Sequence, residues 1–262
     1  MKKIVGIILF LNLICVIYLV GNVDALKGIA SGIIAGSKEQ ATALLHMSTR
    51  ESNQYKKTVD GITEVLIPVD TVLQLPELPN GCEITSLTSI LHFYGYPVSK
   101  TDMADNYLPK EPFIKKNNIL YGADPYKAYA GNPREKSGFF SYAPPIVTAA
   151  NSFFKHEKSN MTAVDMSGSS REEIMKQIDR GNPVVIWVTL DLSEPKLTYA
   201  WKFHDNGQHF SAPTNLHSVV LNGYVGDKVH VMDPLKGQVT YDAGVFFESY
   251  YALGSHAMMI KK

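Results

Sequence analysis

Cysteine is nearly absent: 262 residues hold two, Cys15 and Cys82. Cys15 lies inside an apolar N-terminal segment, so the remainder of the chain holds one thiol and has no partner for an internal disulfide. Excess charge of either sign is also missing. Lys and Arg number 25 against 25 Asp and Glu, a formal charge of zero. That balance offers no basic groove for nucleic acid and no polybasic membrane patch. There are no internal repeats, no low-complexity tract, no nucleotide-binding ATPase motif and no series of membrane-spanning runs. What is present is the apolar content of an ordinary folded domain: hydrophobic residues make up 45% and aromatics 10%, enough for a sizeable core.

One long uncharged run does occur. Lys2 and Lys3 precede "IVGIILFLNLICVIYLV", residues 4–20, broken only by Asn12. A basic flank ahead of an apolar run is an export signal. Its length suits either a signal peptide, with Val23–Ala25 as the small-residue cleavage site despite Asp24, or an N-terminal membrane anchor. Ile14 before Cys15 argues against a lipoprotein site. Both export readings place the rest of the protein outside the cytoplasm, secreted or at the cell surface. The predicted organisation is therefore a signal peptide or anchor over 1–25, a stem or pro-segment over 26–65, and one domain over 66–262.

Within that domain the pattern predicts helices at 82–94, 103–107, 144–154 and 170–180, the last capped by Ser169 or Ser170. Residues 109–140 read as irregular. Strands follow at 183–190, 217–225, 228–233 and 256–260. Helices first and an antiparallel sheet later indicate an α+β domain.

Cys82 then becomes the residue of interest. In "PNGCEITSLTSILHFYG", Asn80 and Glu83 form the spacing of a capping box, and Gly95 ends the helix. Cys82 falls in the first turn, where free N–H groups and the positive end of the helix dipole favour a thiolate. A buried structural thiol is the plainer alternative.

A cysteine nucleophile needs a base, a group orienting the base, and donors for the oxyanion. Of eight histidines, His217 begins a predicted strand, a rigid placement. If the following hairpin turns about Gly226 with an odd loop, Leu221 faces Val231 and Gly223 faces Val229. His217 and Asp233 then share one sheet face within side-chain reach. A two-residue Gly226–Asp227 turn would put them on opposite faces. Gln74, ahead of "LPELPNG", offers a side-chain amide as the second oxyanion donor, or is simply a loop residue. His204, His209 and His217 have no compact metal-ligand spacing.

Residues 74–110, "QLPELPNGCEITSLTSILHFYGYPVSKTDMADNYLPK", resemble the start of a C39-like cysteine peptidase domain of the papain-like superfamily. The blocks at 122–151, 181–190 and 217–237 agree with it. The resemblance implies a papain-like fold with the nucleophile on an N-terminal helix packed on an antiparallel sheet. It also implies Cys82 as nucleophile, His217 as base, Asp233 as orienting acid and Gln74 as oxyanion donor, with a peptide or protein substrate and no cofactor. The best-known C39 peptidases clip leader peptides after a double glycine as cytoplasmic domains of transporters. With its own export signal and no ATPase motif, this chain does not inherit that role. The expected activity is hydrolysis of a peptide or related amide bond. Acyl transfer to an amine is a variant of that chemistry, and a catalytically silent scaffold of the same fold is the competing class.

Overall fold

The computed structural model describes residues 54–59 and 61–262. The expected signal or anchor, and most of the expected stem, lie outside the described residues.

The main sheet has eight strands. In chain order they are β1 (Tyr55–Val59), β2 (Ile62–Leu66), β3 (Thr162–Asp165), β4 (Val184–Thr189), β5 (Leu216–Val225), β6 (Lys228–Asp233), β7 (Gly237–Asp242) and β8 (Ala257–Lys261). They run β1-β2-β5-β4-β8-β3, with β6 and β7 extending from the other edge of β5, and every pairing in this sheet is antiparallel. Every residue of β4 is buried. Side chains alternate across a strand, so both sheet faces are covered there. Four α-helices of nine or more residues accompany the sheet: α1 (Cys82–Phe93), α2 (Ala143–His156), α3 (Arg171–Asp179) and α4 (Ala243–Ala252); the helix predicted at 103–107 is a π-helix, Met103–Tyr107, that follows one turn at Lys100–Asp102. The architecture is the predicted α+β class.

The sheet starts ahead of the expected boundary at 66. The β1–β2 hairpin pairs with the end of β5, so residues 55–59 and 62–66 are strands of this sheet. The interval 191–216, to which the sequence pattern assigned no element, contains the antiparallel strands Leu197–Phe203 and His209–Pro213. They join Ile114–Lys116 and Ile119–Gly122 in a second, four-stranded sheet. The tight turn in that sheet is Asn117–Asn118, at φ 49° and 61°. Two consecutive left-handed residues match the twist of a two-residue hairpin, and asparagine tolerates that conformation. Strands β3 and β7 and helix α4 also escaped the periodicity reading.

Helix α1 is the centre of the domain. All its residues except His92 are buried. It therefore has no solvated face. Ile84, Leu87, Ile90 and Leu91 are almost wholly removed from water, each burial contributing on the order of 2 kcal/mol. Three of the four hydroxyl residues between them find carbonyls, and Thr85 Oγ1 is buried without a partner. Thr88 donates to Ile84 O, Ser86 to Ser218 O and Ser89 to Asp70 O. The helix stops as predicted at Gly95, whose φ of 88° suits glycine. The Gly95 and Tyr96 N–H groups return to His92 and Leu91 O, closing a Schellman motif. Ser170 caps α3 in a full capping box with Glu173.

Candidate active site

The N-terminus of α1 differs from its predicted cap. Gly81 is the N-cap residue and supplies no side-chain bond. Asn80 is held elsewhere: its Nδ2 donates to Glu135 O, and its carbonyl accepts from the Tyr129 hydroxyl. With the cap at Gly81, Glu83 stands one position too early to close a capping box. A Cβ on Gly81 would lie 2.7 Å from Leu78 Cβ, so the close approach of the preceding loop requires glycine here.

Cys82 thus occupies the first helical position, buried and free of any disulfide. Its Sγ also accepts a hydrogen bond from the backbone of Ser218, the residue after His217. The sheet explains that contact. Ser218 is paired with Trp187 of β4, but Trp187 N–H goes to His256 O. The Ser218 amide and carbonyl consequently face away from β4, toward α1, where Cys82 meets one and Ser86 the other.

His217 and Asp233 form a buried pair, with His217 Nε2 donating to Asp233 Oδ1 at 2.8 Å. The hairpin reaches this by a route the odd-turn reading did not foresee. The turn is a two-residue Gly226–Asp227 loop between Val225 and Lys228, and Gly223 faces His230 instead of Val229. A β-bulge between Leu221 and Gly223 then shifts the register, so Leu221 faces Val231 as predicted. The extra residue restores the phase that a tight turn would have lost.

Asp233 is further held by the Leu235 N–H at Oδ1, and by Lys236 Nζ near Oδ2 at 3.5 Å. Burial pushes its carboxyl up, but the His217 bond and charge, with Leu235 and Lys236, outweigh burial and leave it below the usual aspartate range. Since Nε2 of His217 is committed to Asp233, Nδ1 is the nitrogen left for chemistry.

Gln74 is buried beside the same strand end. Its backbone N–H donates to Pro234 O, next to Asp233, and its Nε2 donates to Pro79 O at 2.9 Å. An amide nitrogen carries two hydrogens, so one remains. The Gln74 Oε1 is buried without a partner. The structure therefore gathers all four predicted residues. Cys82 touches Ser218 beside His217, His217 bonds Asp233, and Gln74 is tied to Pro234 beside Asp233. His209 begins a strand of the second sheet and His204 follows another, both outside this set of contacts, with His204 Nε2 bonded to Pro112 O.

The electrostatics of Cys82 run opposite to the sequence expectation. Its thiol donates to Glu83 Oε2 at 3.3 Å, and no hydrogen bond joins it to His217. Burial first, and the Glu83 carboxylate second, push the thiol well above its usual range. Glu83 was missed as a site residue. It is fully buried, and burial raises its carboxyl to about 7. Its Oε1 accepts from Ser141 N–H. The signal available in "CEITSLTSIL" was slight: Glu83 is its one charged residue and stands next to the cysteine.

Residues 66–258 match the Peptidase_C39 like family, nearly three quarters of the chain. The chain belongs to the Peptidase_C39 like family. Among curated proteins it is similar to the uncharacterized protein YvpB of Bacillus subtilis (strain 168), 29% identical over 201 residues that cover 74% of this chain and 76% of YvpB. Among solved structures it is similar to a Bacillus anthracis protein described as a C39-like peptidase. That match has a TM-score of 0.66 and 30% identity and covers 76% of this chain and 98% of the other. The fold is that of the C39-like peptidases.

Proposed function

We propose that the protein is a cysteine peptidase that cleaves a peptide or related amide bond through Cys82, His217, Asp233 and Gln74. The carrying observation is the buried 2.8 Å pair of His217 and Asp233, on a strand whose next residue, Ser218, contacts the Cys82 sulfur. Family membership supports the reaction class.

In the proposed cycle His217 Nδ1 takes the Cys82 proton, and the sulfur attacks the scissile carbonyl to form a C–S bond. Negative charge on the carbonyl oxygen is met by the Cys82 backbone N–H and the second hydrogen of Gln74 Nε2. The imidazolium returns its proton to the departing amine as the C–N bond breaks. Water, deprotonated by His217, then attacks the thioester carbonyl; the C–S bond breaks, the acid product leaves, and the imidazolium returns its proton to the sulfur. Asp233 holds the ring and stabilises the imidazolium throughout. Lys2, Lys3 and the apolar run 4–20 support export, so we place this activity outside the cytoplasm, with residues 4–20 as the route to membrane anchoring. Among the described residues, no helix is long and apolar enough to cross a membrane.

The test is incubation of the full chain and its Cys82→Ala variant with a diverse peptide library, read by mass spectrometry. Cleavage by the wild type and none by a folded variant is expected. Equal cleavage by both would remove Cys82 as nucleophile, and no cleavage by either would favour a silent scaffold.

A further inference from the structure

Glu83 has no part in the cycle above, yet it is the residue bonded to the Cys82 side chain. Its two oxygens have separate jobs. Oε1 accepts the Ser141 N–H and so fixes the segment between Phe140 and Tyr142, whose Ser141 carbonyl accepts from Trp187 Nε1. Oε2 faces the sulfur. A carboxylate used only as an anchor would need one acceptor and would not be aimed at the nucleophile.

We propose that Glu83 is a proton-operated latch on Cys82: ionised, it holds the cysteine as a thiol, and protonated, it releases the sulfur to His217. The proposal rests on Cys82 being the nucleophile. In the closed state the S–H proton is directed at a carboxylate, and a thiolate beside that carboxylate would place two anions in contact inside the protein. When Glu83 takes a proton from solvent water, its new O–H donates to the sulfur. The Cys82 proton then passes to His217 Nδ1, giving thiolate and imidazolium. One proton enters from water, none is lost, and no covalent bond other than those to hydrogen changes.

The surroundings leave Glu83 free to act in this way. From α1 it meets Cys82, from the 141 segment the Ser141 N–H, and from the strand at 129–130 the buried Tyr129 phenol, which is bonded to Asn80 O. On β5, His217 is one residue from the Ser218 amide on the sulfur. No lysine or arginine is bonded to Glu83 among the described residues. Burial without a cation places its own titration at about 7, so the latch would work near neutral pH.

Iodoacetamide reports thiolate directly and needs no peptide cleavage, so this test stands apart from the failure of the peptidase reading. Cys82 alkylation, followed by mass spectrometry of the full chain across pH, should slow between about pH 6 and about pH 8 in the wild type, where an ordinary thiol speeds up. Glu83→Gln keeps an acceptor for Ser141 and removes the charge. It should alkylate at least about tenfold faster than wild type near pH 8 and equally near pH 5, the factor expected if the thiol pKa falls by one or more. A Glu83→Gln profile that overlays the wild type would overturn the latch and leave Glu83 an anchor. Should that variant not fold, the wild-type profile still decides the matter: Cys82 alkylation that rises with pH between about pH 6 and about pH 8, as an ordinary thiol's does, would overturn the latch.

Discussion

At Cys82 two effects compete over one proton. The helix N-terminus offers a positive dipole worth at most about 2 kcal/mol in partly buried settings. Full burial and an adjacent carboxylate oppose it and win, leaving a protonated thiol in the resting site. Position along the helix therefore does not determine reactivity here; the neighbour does. Gln74 tests a different part of the account. Gln74→Ala removes a donor that matters when charge builds on the carbonyl oxygen, so turnover should drop about a hundredfold or more. Alkylation of Cys82, which forms no oxyanion, should be nearly unchanged. Parallel losses in both would mean that the Gln74 bonds to Pro234 and Pro79 support the loop instead.

The β5–β6 hairpin shows how one element decides whether there is a site at all. A two-residue turn alone would have sent His217 and Asp233 to opposite faces, and the bulge at Leu221–Gly223 brings them together. Gly223 has a second constraint, because a Cβ there would lie 2.3 Å from Val65 O of the neighbouring β2. Backbone cannot swing aside as a flexible side chain can. Gly223→Ala should cost about 1–3 kcal/mol in urea unfolding and lower peptidase turnover, since relief requires moving either β2 or the bulge. Unchanged stability and turnover would show that the bulge does not set the pair. The sequence made the helix-carried cysteine, the strand-start histidine and the shared face legible, because apolar alternation is strong in "HSVVLNGYV" and "KVHVMD". It concealed the bulge, since a two-residue turn plus one extra residue leaves the same alternation near Asp233 as an odd turn. It also concealed the second sheet, whose Leu197–Phe203 strand is mostly exposed and carries no clean period, and the role of Glu83, which mimics a capping residue.

For the whole molecule, two buried carboxyls shape stability in opposite directions. Asp233 lies below its unfolded value of 3.8, so its contribution is present above that value and is lost as pH falls through the folded one. Glu83 is raised from 4.5 to about 7, so its contribution is complete below 4.5 and is lost as pH rises through about 7. That rise corresponds to on the order of 3 kcal/mol. Thermal unfolding should therefore give a higher Tm near pH 5 than near pH 8, and Glu83→Gln should flatten the difference. An equal pH dependence in both proteins would show that ionised Glu83 is paid for by some other contact. Assembly of a working cysteine site by this fold can be read with a peptidyl acyloxymethyl ketone, a suicide probe that needs an assembled thiolate–imidazole centre. Labelling of the full chain would be located by mass spectrometry in wild type, Cys82→Ala and His217→Ala. One label on Cys82 is expected in the wild type, none in Cys82→Ala, and at least about a hundredfold slower labelling in folded His217→Ala. Labelling of Cys82 at the wild-type rate without His217 would contradict the assembly of such a site.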